Sequence, residues 1–164
     1  MLMKKRFIFF TLLLLTLIGG ANWNVLNAQE TVEIGEGSTS TSYCIPSYTY
    51  CGNKSFTQQI YTATEITNAG GSAGTITSIS IRKQRGNNNV RTLEIYLENT
   101  DKTNFPGGYY DWIFPTTQPV FNGSLNWGND GWITIELGTP FEYEGKGILL
   151  SVYDITGTAY GYTN

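Results

Sequence analysis

The chain has 164 residues, a formal charge of −3 and no histidine. That absence excludes Ser-His-Asp and Cys-His nucleophilic catalysis and zinc sites built on imidazole. Its 19 Gly and 11 Tyr, with abundant Thr, Ser, Asn and Ile, favour pleated strands and tight turns. Long Ala/Leu/Glu/Lys stretches, which a helical bundle needs, are missing.

In chain order, Met1–Ala28 reads as a secretory signal peptide. Lys4, Lys5 and Arg6 open it, an apolar run follows from Phe7 to Ile18, and a polar stretch ends at Asn27-Ala28-Gln29. The apolar run falls short of the roughly 20 residues that span a bilayer. Cleavage removes three basic residues and no acid, so the charge of residues 29–164 moves from −3 to −6. An acidic exported chain argues against nucleic acid and against an anionic membrane surface as partners, and for a secreted or cell-surface address. Residues 29–164 are long enough for a single domain that buries about two-thirds of its unfolded surface.

Thr31-Val32-Glu33-Ile34 alternates as a short strand would, and Gly35–Ser42 reads as a loop. Cys44 and Cys51 are the two cysteines of the chain. Export into an oxidising compartment and the short intervening loop predict a disulfide between them, whereas a nucleophile or metal pair would lack a His partner. Phe56–Tyr61 is a second strand, with Phe56, Gln58 and Ile60 on one side. Thr75–Ile81 is a third, in which Ile76 is out of phase with Ile79 and Ile81 unless a bulge intervenes. In Arg91–Glu98, Leu93, Ile95 and Leu97 face one way and Thr92, Glu94, Tyr96 and Glu98 the other. With Gly86-Asn87-Asn88-Asn89 before it, 75–98 reads as a β-hairpin whose Arg82, Lys83, Arg85 and Arg91 keep it soluble. Val120-Phe121, Trp132–Leu137 and Ile148–Tyr153 complete the strands.

Six or seven such strands predict an all-β, two-sheet antiparallel sandwich. Thr156–Asn164 is turn-like and supplies no strand to follow Ile148–Tyr153, so the expected sheet edge stays open and the chain reads as truncated, lacking its last strand or strands.

The succession SFTQQIYTATEI, GTITSISI, RTLEIYLENTDKTNF, VFNGSLNWGNDGWITIELGTPFEYEG and ILLSVYDITG resembles a β-sandwich module found near the N-terminus of large secreted, adhesin-like proteins of Bacteroidetes. The resemblance spans about residues 31–157. Its most specific pieces are Gln59-Ile60-Tyr61, Leu93–Leu97 with Asp101-Lys102, and Gly131-Trp132 leading to Thr139-Pro140-Phe141. It implies a jelly-roll-like fold, an adhesion or surface-display context, no catalytic residues, and further domains C-terminal in the full-length protein. The cysteines depart from its pattern, as does the absence of a further strand after Asp154-Ile155-Thr156-Gly157.

Pro106–Trp112 is a turn-rich stretch that displays Tyr109, Tyr110 and Trp112 beside the carboxylate of Asp111, and Trp127 follows in a polar turn. Such rings either close the ends of the core or form a platform on which sugar rings stack while the acid accepts hydroxyl hydrogen bonds. Glu98, Asp101, Asp111, Asp130 and Asp154 lack calcium-loop spacing and read as turn acids, so no metal or cofactor is assigned. No carboxylate pair flanks a cleft as glycoside hydrolysis requires. The reading is a non-catalytic extracellular binding module that recognises a glycan or a host surface protein through Tyr109, Tyr110, Asp111, Trp112 and Trp127. The alternative is a structural spacer or accessory domain of a larger secreted peptidase or glycosidase whose catalytic part lies elsewhere.

Overall fold

A computed structural model of the chain describes residues 30–35, 54–83, 90–107, 111–128 and 131–157. The expected leader, Cys44 and Cys51 with the disulfide expected between them, and residues 158–164 lie outside the described residues. Among the described residues no helix is long and apolar enough to cross a membrane.

The elements are β1 (Ser55–Tyr61), α1 (Ala63–Asn68), β2 (Gly74–Lys83), β3 (Val90–Thr100), β4 (Phe121–Asn126), β5 (Gly131–Tyr143) and β6 (Gly147–Asp154). They build an all-β sandwich with one four-stranded sheet, in the order β1-β6-β3-β4, and one two-stranded sheet, β2-β5. The antiparallel pairs are nested: β1 pairs with β6, β2 with β5 and β3 with β4. This is the pattern of one long hairpin rolled over on itself, and the sandwich is jelly-roll-like in that sense. The additional β3–β6 pairing closes the larger sheet.

Two expectations are corrected here. Residues 75–98 do not form a hairpin: β2 pairs with β5 in one sheet and β3 with β6 and β4 in the other. Period-two alternation states which face of a strand is buried but not which strand lies beside it. The expected open edge at Ile148–Tyr153 is also absent, since β6 is flanked by β1 on one side and β3 on the other. Gly147 begins β6 where a Cβ would sit 3.0 Å from the carbonyl oxygens of both Thr100 and Tyr61, so any side chain there would press on the backbone of both neighbouring strands. The segment 31–34 forms no strand, although Val32 and Ile34 are the half-buried positions, as their alternation predicts.

The core fills the space between the sheets. Leu93, Ile95 and Leu97 of β3 and Ile148, Leu150 and Val152 of β6 face Ile135 of β5 and the half-buried Ile76, Ile79, Ile81 and Ile133. The out-of-phase Ile76 is reconciled by an irregularity: Ile76 opposes Phe141 but Ser78 opposes Glu136, so β5 bulges over Leu137–Pro140. That bulge joins the two sheets. Gly138 and Thr139 both donate their backbone N–H to the Val120 carbonyl, at 2.8 and 3.2 Å, and the Val120 N–H donates to Ile95 O at 2.8 Å.

Arg91 and Asp154 overturn their sequence reading. Neither is a solvated edge or turn charge: they are 2 % and 1 % exposed. Arg91 grips Asp154 with two bonds, Nε to Oδ2 at 2.7 Å and the second guanidinium nitrogen to Oδ1 at 2.9 Å. A fork-on-carboxylate geometry of this kind is what makes a desolvated pair tolerable. Lys83 is also occupied, its Nζ donating to Trp127 O and Gly128 O. Arg85 lies outside the described residues.

Candidate functional site

The outer face of the four-stranded sheet carries a feature that a plain solvent face lacks. Asp111 to Gln118 runs as an extended strap across it, pinned at two points. At β1, the Gln58 side chain receives the Ile113 N–H at Oε1 (3.0 Å) and returns its Nε2 to the Ile113 carbonyl (2.5 Å) and to Ser151 Oγ (2.8 Å). At β3, Glu98 Oε1 accepts the backbone N–H and hydroxyl of Thr116, at 3.0 and 2.9 Å. Since β6 lies between β1 and β3, the strap crosses β6, and Leu149 on that face is only 2 % exposed.

Local sequence explains what the strap displays. In Trp112-Ile113-Phe114-Pro115 the proline holds the preceding residue extended, so alternate side chains point to opposite sides. Ile113 turns inward and is half-buried, while Trp112 and Phe114 face solvent at 44 % and 68 % exposure. Both rings flank Phe56 of β1. Trp112 lies 5.1 Å from it between centroids, and Phe114 lies 6.1 Å away with planes only 4° apart. Phe56 stacks in turn on Tyr153 of β6 at 4.1 Å, and Tyr153 meets the edge of Tyr96 of β3 at 5.9 Å. The result is an aromatic ledge of five rings that runs from the strap over three neighbouring strands.

Polar groups border the ledge. The Tyr96 hydroxyl donates to Glu94 Oε2 at 3.0 Å, and Asn122 of β4 approaches Glu94 Oε1 at 3.5 Å. Burial of the ring, with the bond to Glu94 and its charge, pushes the Tyr96 phenol up to about 12. Tyr153 is raised as well, by burial first and by the Glu94 charge second. Both hydroxyls are therefore neutral donors at physiological pH. Thr92 and Ser124, opposite each other on β3 and β4, extend the polar border with hydroxyls 3.3 Å apart.

Of the residues expected to bind ligand, Trp112 is on the ledge. Asp111 begins the strap and accepts the Gly107 N–H at 3.3 Å. Tyr109 and Tyr110 lie outside the described residues. Trp127 is corrected: it is 5 % exposed and belongs to the core cluster, so its ring is not displayed. An Asn-Trp-Gly turn looks exposed in sequence, but this one closes the end of the sandwich at the terminus of β4, and a large apolar ring is most stable there when covered. Phe114, Phe56, Tyr96 and Tyr153 were not singled out as site residues. The Trp-Ile-Phe-Pro alternation was their best local signal, and the alignment of β1, β6 and β3 that gathers them is a tertiary fact.

The acids weighed as calcium ligands have other partners: Asp154 holds Arg91, Glu98 holds the strap and Asp111 holds Gly107. Asp101 is exposed beyond β3, and Asp130 lies outside the described residues. Among the described residues an open recess of about 340 Å³ lies beside the strap, with Glu98, Thr116, Gln118 and Phe141 in its wall. No family model, no curated protein and no solved structure matches this chain.

Proposed function

We propose that this chain is a non-catalytic, exported binding module that recognises carbohydrate through the ledge formed by Trp112, Phe114, Phe56 and Tyr153, in an adhesion or surface-display role. One observation carries the reading: two large aromatic side chains are held out to solvent by a strap whose backbone is clamped to the sheet through Gln58 and Glu98. Covering Leu149 accounts for the strap but not for the display of Trp and Phe, whereas solvent-facing aromatic rings fixed in place are what the apolar face of a pyranose stacks against. A rigid sandwich that presents an ordered loop is also the usual platform for recognition. The apolar leader and the resemblance to surface modules support export.

The test is glycan-array and calorimetric binding with residues 29–164 and with the Trp112→Ala and Phe114→Ala variants. Loss of one stacking ring weakens binding by about tenfold, equivalent to 1.4 kcal/mol, with an unchanged far-UV spectrum. Glycan binding that survives both substitutions would overturn the assignment of the ledge. Binding to no glycan would leave the spacer role as the better account.

A further inference from the structure

Resting on that reading, we infer that the ledge is built for uncharged glycans and discriminates against acidic ones such as uronate-rich or sialylated chains. The argument is the charge of everything that shares the surface. Among the described residues, the outer face of the four-stranded sheet and the strap carry three carboxylates, Glu94, Glu98 and Asp111, and no lysine or arginine. The basic side chains nearest in sequence, among the described residues, lie in the core or just past the strand ends. Arg91 points into the core and is committed to Asp154, while Lys54 and Lys102 lie beyond the ends of β1 and β3. Glu94 is the important group. It sits beside Tyr96 and Tyr153 at the inner end of the ledge, and among the described residues it forms no ion pair.

An acidic sugar stacked on the rings would bring a second carboxylate toward Glu94, which no cation among the described residues pairs, a repulsive contact that lowers affinity for that partner without any clash of shape. A neutral sugar meets the opposite situation. The Glu94 oxygens already accept from Tyr96 and Asn122, and a carboxylate has about four lone-pair sites, so acceptor capacity is left for a sugar hydroxyl. Asn122, Ser124 and Thr92 alongside can each donate and accept. A border with both capabilities matches hydroxyl groups, which also do both. A lysine or arginine side chain is drawn to the carboxylates but, having no acceptor, leaves the donors of Asn122, Ser124 and Thr92 without partners, so a neutral glycan uses more of the border than a basic peptide does.

The experiment measures binding of residues 29–164 to matched neutral and carboxylated oligosaccharides: β-glucan, galactan and lactose-based chains against oligoglucuronate, oligogalacturonate and their sialylated counterparts. A lysine-rich peptide forms a further arm, and all titrations run at low and at physiological salt. The expected result is neutral binding with at least about fivefold weaker binding of the carboxylated partner at low salt, a gap that narrows as salt screens the repulsion. Glu94→Gln keeps the acceptor while removing the charge, and it should narrow the same gap at low salt. Equal affinity for neutral and acidic chains in the wild type, or a gap that Glu94→Gln leaves unchanged, overturns this inference and leaves the carbohydrate reading standing. Binding of the basic peptide with no glycan bound overturns both.

Discussion

The two faces of the four-stranded sheet are made by the same strands, yet they are held to different standards. The inner face has Leu93, Ile95 and Val152 at 1 % exposure or less, and its one ion pair is fully desolvated. The outer face is half-covered by a strap that shields Leu149 and Gln58 while exposing Trp112 and Phe114. On the inner face the buried charges of Arg91 and Asp154 are paired within the protein. On the outer face polar groups are spent on holding a segment in place, and apolar rings are left to the solvent. The buried ion pair lies on one side and the exposed aromatic rings on the other, so the two can be perturbed separately.

The largest expected effect comes from breaking the inner face. Asp154→Ala leaves the Arg91 guanidinium buried without its partner and should cost about 3–5 kcal/mol in urea unfolding. The Arg91→Met/Asp154→Leu pair, which removes both charges, should recover most of that loss. Next in size is Gln58→Ala on the outer face. It leaves the Ile113 N–H and carbonyl without the partner that clamps them, for roughly 1–3 kcal/mol. Its distinguishing readout is a red shift of tryptophan emission and weaker ligand binding, neither of which Asp154→Ala should produce in its folded fraction. Thr62→Ala touches neither face. It removes the capping box of α1, in which Thr62 Oγ1 accepts the Glu65 N–H and Glu65 accepts the Thr62 N–H, and should cost about 1 kcal/mol. The last effect is alkaline. The Tyr96 phenol is raised above its unfolded value of 10.0 to about 12. Its contribution is therefore complete below pH 10 and is lost as pH rises toward 12. Tyr96→Phe should flatten that limb of the stability curve without abolishing it, because Tyr153 is raised too.

The strands were legible because each buries one face, and Leu93-Ile95-Leu97 and Ile148-Leu150-Val152 announce this by alternation. Even the bulge opposite Thr77 was implied by the phase of Ile76. Strand partners were not legible, because alternation is silent about neighbours; 75–98 looked like a hairpin only because a good turn joined two good strands. Charge misled for a related reason. Arg91 and Asp154 are far apart in sequence, and each alone resembles a surface residue; only the β3–β6 register, which sets Leu93 opposite Asp154, makes them a pair. Helix α1 was missed although Thr62-Ala63-Thr64-Glu65 is a capping-box sequence, because strand-like Thr and Ile surround it. The site was half legible. Trp112 stood out by its type, but Phe114 and Tyr153 became site residues only when the strap was laid over β6.

The nested pairing has a consequence for how the chain reaches this structure. Strand β1 and strand β3 touch only through β6, so neither can complete its ladder until residues 147–154 arrive, and the inner ion pair waits on the same strand. Nearly all the pairings that reward folding join distant parts of the sequence, and closing such loops costs entropy before any contact offsets it. Folding should therefore be slow, on the millisecond-to-second scale of high-contact-order β domains. It should also be all-or-none with respect to β6, so a nascent chain ending before Gly147 would hold no four-stranded sheet and no ledge.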